Sequence, residues 1–213
     1  MRIQKLLTLS AIALAAASAS LAAELSLTPV QDVLVCSSDI SVDVRNLGVS
    51  NRGEAFVRRT LLQFDLREVG RSGRTIEKAA LELIPSGLLG KEGGLVPITL
   101  WGLADELAWS EESLFWSNAP RRDDLLEEGH ARAGLVRLAS ASFDADGNQI
   151  VRRDPVVWSG DDLVTFLNGA RGRVVTLMLV SEGTLKTPGV IFFSKDNRAA
   201  AKAVYPRLEL TLR

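Results

Sequence analysis

The chain has 213 residues, 25 basic and 26 acidic side chains, one cysteine and one histidine. That near-neutral balance argues against nucleic acid, which wants a basic surface, and a single thiol excludes an intrachain disulfide. With a leader removed, about 190 residues remain, enough for one all-β domain with an unaided core.

Arg2 and Lys5 precede an apolar run over residues 6–14, and the small-residue run 15–23 offers Ser20-Leu21-Ala22 as a processing site. This is the three-part pattern of a secretory signal peptide, residues 1–23, too short and alanine-rich for a membrane span. The expectation is export, to the periplasm or the extracellular space, of a single domain over residues 24–213. No later stretch is long and apolar enough to cross a bilayer. Cys36 follows Val33-Leu34-Val35 without the small residue a lipidated cysteine needs. It reads as a small buried hydrophobe rather than a reactive thiol.

Downstream the periodicity is mostly two. In "FVRRTLLQFDL" Leu62 and Phe64 share one parity, while Arg59, Leu61, Gln63 and Asp65 share the other. "KAALELI" places Ala79, Leu81 and Leu83 on one face, and "VPITLWGLA" adds a strand-like run. Next comes "LAWSEESLFWSNAP", with Trp109 and Trp116 of the four tryptophans, then the charged stretch 121–134, expected to be an exposed loop or loose helical turn. "AGLVRLASASF" and "RVVTLMLV" are strand-like and separated by a short helical segment over residues 161–167. Gly160 or Asp161 would cap that helix, with Leu163, Val164 and Leu167 inward. "LELTLR" closes the chain with Leu208, Leu210 and Leu212 on one face. Turn residues cluster at 70–73, 87–94, 144–148, 169–172 and 187–189. Eight or more short strands so punctuated predict an all-β fold, a two-sheet antiparallel sandwich of jelly-roll type with one short helix.

Seven stretches, in order, carry a family likeness: "NRG" at 51–53, "RRTLLQFDL" at 58–66, "IEKAALEL" at 76–83, "WSEESLFWSNAP", "VVWSGDDLVTFLNGARG" at 156–172, "IFFSKDN" at 191–197 and "YPRLELTL" at 205–212. Together they resemble the DNRLRE domain, a secreted β-sandwich grouped with carbohydrate-binding modules of family 96 type. The resemblance spans residues 30–213. It implies a non-catalytic module that binds polysaccharide, acidic uronate polymers such as alginate included. Where family members carry an arginine after the serine of the late "SR" stretch, this chain has Lys195.

Candidate residues follow from chemistry. Trp109 and Trp116 belong to a motif present whatever the ligand, so they are expected to bury apolar area along a long connection. Trp158 is expected in the core, and Trp101 could face either sheet surface, which makes it the first tryptophan to consider for sugar contact. Glu111 and Glu112 are adjacent and diverge, unlike a glycosidase pair facing across a cleft; they are expected to be solvated, or to cap the turn at Ser110. A second carboxylate could come from Asp65 or Asp162. His130 has no evident partner, and no serine sits in a nucleophile elbow, so no enzyme is expected. "DADGNQI" has its glycine too early for a twelve-residue calcium loop and fits a hairpin turn. A structural calcium ion is still compatible with Asp32, Asp39, Asp43 and Asp65. The cations Arg58, Arg59, Lys195, Arg198 and Arg207 lie on strands or strand ends. If the strands of Arg59 and Arg207 are neighbours, these residues form a basic stripe whose guanidinium forks suit carboxylates. The alternative is that they pair with Asp65, Glu82 and Glu209 to support the fold. A surface or matrix protein-interaction module without a sugar ligand is the competing functional reading.

Overall fold

The computed structural model of the chain describes residues 22–38, 45–53, 56–90, 93–104, 108–119, 134–145, 153–198 and 201–213. Residues 1–21 of the expected signal peptide, Asp39, Asp43, His130, residues 120–133 and the 146–148 turn lie outside them. Among the described residues twelve strands form: β1 (Ala23–Leu27), β2 (Gln31–Cys36), β3 (Asn46–Asn51), β4 (Val57–Asp65), β5 (Ile76–Leu83), β6 (Pro85–Leu89), β7 (Leu95–Leu103), β8 (Leu135–Asp144), β9 (Val156–Ser159), β10 (Val174–Ser181), β11 (Gly189–Phe193) and β12 (Arg207–Leu212). A single-turn helix, α1 (Arg67–Arg71), follows β4, and α2 (Asp161–Gly169) follows β9.

The strands build two sheets. The smaller runs β1-β12-β5-β9, and the larger runs β6-β11-β3-β4-β10-β7-β8 with β2 paired to β4 as well. All pairings are antiparallel, as expected of an all-β chain without helical crossovers. Among the described residues no helix is long and apolar enough to cross a membrane.

Alternation decides which side chains meet between the sheets. Leu81, Leu83, Trp158, Leu208 and Leu210 of the small sheet pack with Leu62, Phe64, Ile98, Leu100, Leu177 and Phe192 of the large one. Trp158 is fully buried. Its indole N–H donates to the Ile98 carbonyl at 3.0 Å, so its polar edge stays satisfied. α2 closes one end of this core with buried Leu163 and Leu167. It starts at Gly160, whose φ of 145° is a conformation that side chains disfavour. At Gly102 an added Cβ would lie 2.6 Å from the Phe166 ring, so only a glycine lets α2 settle on β7.

The alternating runs account for β4, β5, β7, β8, β10 and β12, and six strands lie outside them: β1, β2, β3, β6, β9 and β11. The residues of β6 include Pro85 and Gly87, turn residues by composition. They nonetheless extend beside β11, at the end of the sheet order, where an edge strand tolerates both.

Candidate functional site

The large sheet has a second covered face. Read across the strands, Gln31, Gln63 and Thr176 form one rung, and Val33, Leu61, Met178 and Trp101 the next. Val35, Arg59 and Val180 form a third. The inter-sheet core lies on the opposite side of these strands, so this face would meet water if nothing covered it. Residues 108–119 cover it. Leu114 and Trp116 join Leu61, Trp101, Leu103, Leu135 and Met178 in a second apolar cluster, with Trp109 packed at its margin. Polar contacts pin the strap at its start. The Trp109 indole N–H donates to Thr176 Oγ1 at 3.1 Å. The Gln31 side-chain amide donates to the Trp109 carbonyl at 2.9 Å, and the Glu111 N–H donates to Gln31 Oε1 at 3.0 Å. These tryptophans are therefore structural, as expected of that motif.

A tight ionic cluster fixes the middle of the strap. Lys195 Nζ donates to Glu111 Oε1 at 3.0 Å and to Asp196 Oδ2 at 2.7 Å, and lies 4.0 Å from Asp32 Oδ1. Asp32 is buried and accepts from Ser194 Oγ at 2.9 Å and from the Lys195 backbone N–H at 2.8 Å. Burial pushes the Asp32 carboxyl up to about 6, against the opposing pull of those two hydrogen bonds and the Lys195 charge. Burial alone would lower the Lys195 ammonium; its bonds to Asp196 and Glu111 more than offset that and hold it above its ordinary value. Glu111 also accepts from the Asp32 N–H at 3.1 Å. It is thus a strut between the strap and β2, which corrects the expectation of a solvated charge. Glu112 is exposed, as expected.

The three carboxylates of this cluster approach within 4.8 Å of one another, the arrangement a metal ion would need. The Lys195 ammonium already occupies the cationic position among them. Asp65, another candidate calcium ligand, is held by Arg67, with Nε 2.9 Å from Oδ1. That hydrogen bonding pulls its carboxyl down to about 2.

The expected ligand-binding cations are not brought together. Arg59 on β4 belongs to the large sheet and Arg207 on β12 to the small one, so the stripe that joined them does not form. Arg59 is only 3 % exposed and its guanidinium lies over the Trp116 ring. Trp101 is 5 % exposed within the same cluster. Both are closed off from a ligand because the strap covers their polar parity, which alternation alone assigns to solvent. Lys195 is engaged by carboxylates. Arg58 is half-buried and reaches Ser50 Oγ at 3.5 Å. Arg207 is half-buried and its Nη2 approaches the Lys202 carbonyl at 3.4 Å. Arg198 is exposed just beyond β11. Cys36 is buried, as expected, with Sγ 3.1 Å from Ser38 Oγ.

What sequence reasoning missed is a cleft of about 840 Å³ at the end of the strap, lined by Ser37, Asn51, Gly53, Val57, Trp116, Gly183, Thr184 and Leu185. Four segments meet here: the end of β2, the β3–β4 turn, the β10–β11 loop and the strap. Asn51 ties two of them, its Nδ2 donating to the Gly183 carbonyl at 2.9 Å. The Val57 N–H donates to Ser37 Oγ at 3.0 Å and joins the other side. Gly53, at φ 88°, leaves room for Leu185, whose Cδ2 lies 2.9 Å from where a Cβ would stand. Leu185 is 66 % exposed at the rim. Phe56 and Phe115, the chain neighbours of Val57 and Trp116, are exposed and do not line the cleft. The volume falls in the range of small-molecule sites, about 300–1,000 Å³.

The fold and this cleft define a class: an antiparallel two-sheet β-protein with a preformed surface cleft between loops at one sheet end. No protein-family model matches the chain, and no curated protein matches it.

Proposed function

We propose that this protein is an exported, non-catalytic polysaccharide-binding module. The observation that carries the reading is the cleft, where Trp116, Val57 and Leu185 supply apolar wall and Ser37, Asn51 and Thr184 supply hydrogen-bonding groups. A pyranose has the matching character, with apolar C–H faces and a polar hydroxyl edge, and such mixed linings are what small-molecule sites use. The ordered likeness to the DNRLRE domain supports the same reading. So does the placement of the carboxylates considered for catalysis, since Glu111 is tied to Lys195 and Asp65 to Arg67.

Affinity gel electrophoresis against neutral glucans, mannans, pectin and alginate tests it. Retardation by one or more polymers is the expected outcome, and unretarded migration on all of them overturns the proposal.

The competing reading is a surface or matrix module that packs against another protein, favoured by the exposure of the large apolar side chains Phe56, Phe115 and Leu185. Such residues form the apolar anchors of protein interfaces. It predicts self-association or partner capture that a soluble oligosaccharide does not compete away.

A further inference from the structure

The described apolar side chains fall into two clusters that share no residue. One lies between the sheets, around Trp158, and the other between the large sheet and the strap, around Leu114 and Trp116. We infer that the strap, residues 108–119, is a cover that lifts as one piece while the sandwich stays folded, latched where Lys195 grips Glu111. Because Trp116 lines the cleft, lifting the strap takes away one of its walls. The consequence for a bound sugar rests on the polysaccharide-binding reading; the lifting itself does not.

The strap holds its own shape. The Ser113 N–H donates to the Ser110 carbonyl at 3.1 Å, and the Asn118 N–H to the Phe115 carbonyl at 3.2 Å. Asn118 closes the segment on itself, its Nδ2 donating to the Ser113 carbonyl at 2.9 Å and its Oδ1 accepting from the Phe115 N–H at 2.7 Å. These bonds draw on nothing in the sheet, so they survive when the segment moves away from it. The strap is tied to the sheet through side chains, those of Gln31, Trp109 and Glu111, and by the packing of Leu114 and Trp116. A segment so attached is the kind that opens as a unit below the free energy of global unfolding.

The ion cluster divides at the same seam. Glu111 belongs to the strap, whereas Asp32 on β2 and Lys195 and Asp196 beyond β11 belong to the body of the fold. Lys195 Nζ lies 2.9 Å from Glu111 Oε2 across the seam and 2.7 Å from Asp196 Oδ2 on its own side. Lifting the strap breaks the first contact and keeps the second, so the ammonium is not left buried without a counter-charge, the outcome that makes breaking an ion pair so costly. What holds the cover down is the apolar face beneath it, where Leu61, Trp101 and Met178 would otherwise meet water. The closed form therefore dominates, and the Lys195–Glu111 contact sets how often it opens.

Hydrogen exchange of the indole N–H groups, followed by NMR, tests the inference, because each cluster carries a reporter. Trp109 donates to Thr176 beneath the strap, and Trp158 donates to the Ile98 carbonyl between the sheets. Trp109 should exchange at least about a hundredfold faster than Trp158, and low urea should speed Trp158 far more, since lifting exposes much less surface than unfolding. Glu111→Gln weakens the latch and should speed both indoles about tenfold, because it destabilises the closed form against every opening. Ile76→Val, in the inter-sheet core, destabilises the closed and lifted forms alike, so it should speed Trp158 about fivefold and leave Trp109 unchanged. Equal rates and urea slopes for the two indoles, or an Ile76→Val protein in which both speed up together, overturn the inference, since the strap then opens only with the whole fold. A Glu111→Gln protein in which neither rate moves overturns the latch. Gluco-, manno- and uronate oligosaccharides added to the same samples test the cleft: a series that binds should slow Trp109 about tenfold at about ten times its dissociation constant. A series whose polymer retards the protein in the affinity gel but which leaves Trp109 unslowed overturns the link between strap and cleft. Retardation by no polymer overturns the polysaccharide reading, while the exchange rates still decide the cover.

Discussion

The guanidinium carbon of Arg59 sits 4.7 Å from the centroid of the Trp116 ring, on the outer face of the large sheet. Arg59 belongs to a strand and Trp116 to the strap that covers it, so this contact joins the covered face to the wall of the cleft. Such cation–π contacts are worth about 2 kcal/mol when desolvated.

Replacing Arg59 therefore tests the strap. Arg59→Ala removes the cation and most of the volume beneath the indole and should cost about 2–4 kcal/mol of unfolding free energy. Arg59→Met keeps an unbranched apolar stem beneath the Trp116 ring and should cost less than the alanine, because it leaves a smaller cavity there. Urea unfolding of the two variants beside the parent measures the difference. A loss below about 0.5 kcal/mol for Arg59→Ala would be the value of a free surface residue and would contradict the packing described here.

Asp32 makes stability depend on pH with an unusual sign. Its carboxyl titrates at about 6 in the folded chain against 3.8 when unperturbed. Between those values the folded state holds a proton that the unfolded state has released, so stability rises as pH falls through the window. The contribution is complete below about pH 4 and lost above about pH 6, and it amounts to about 3 kcal/mol at about 1.4 kcal/mol per unit. Asp65, pulled down to about 2, acts in the opposite sense, and its support declines only as pH drops below 3.8. The Asp32→Asn variant should lack the gain, so the stability gap between parent and variant should shift in favour of the parent from pH 7 to pH 4.5. A gap that does not move with pH would show that Asp32 is ordinary.

Lys195 is the cation that lets three carboxylates share one site. Lys195→Met should cost about 3 kcal/mol at pH 7, the usual penalty for removing one partner of a buried ion pair. The cost should shrink near pH 5, where Asp32 is protonated, and the Asp32→Asn, Lys195→Met double variant should recover part of the loss. Denaturant titrations of the four proteins at both pH values give the coupling directly. Additive losses at both pH values would separate Lys195 from Asp32.

Gly102 should resist any side chain. With the Phe166 ring atoms 2.6–2.9 Å from the Cβ position, Gly102→Ala should cost about 1–3 kcal/mol through overpacking. A second change, Phe166→Leu, should return part of that cost, because it removes the ring in the way. Thermal melts of the single and double variants report it, and a Gly102→Ala protein that melts like the parent would place α2 elsewhere.

Period-two alternation was enough to place half of the strands. Leu62 and Phe64, Leu81 and Leu83, and Leu208 and Leu210 all turn inward as their spacing predicts, because a strand puts alternate side chains on opposite faces whatever its partner. The capping glycine and inward leucines of α2 are equally local, and so is the burial of Cys36. Tertiary structure decided what the other face of each strand meets. Arg59 lies on the polar parity of β4, yet a strap some fifty residues downstream covers it, and no local pattern encodes that cover. Glu111 and Lys195, 84 residues apart, become partners only when that strap docks. Arg59 and Arg207 share a parity rule but fall on different sheets, because strand order depends on connections over the whole chain. The cleft is assembled from four separate segments, each with ordinary turn or strand residues. Its described lining, from Ser37 and Asn51 to Trp116 and Leu185, comes together only where they meet, and no single segment encodes that meeting.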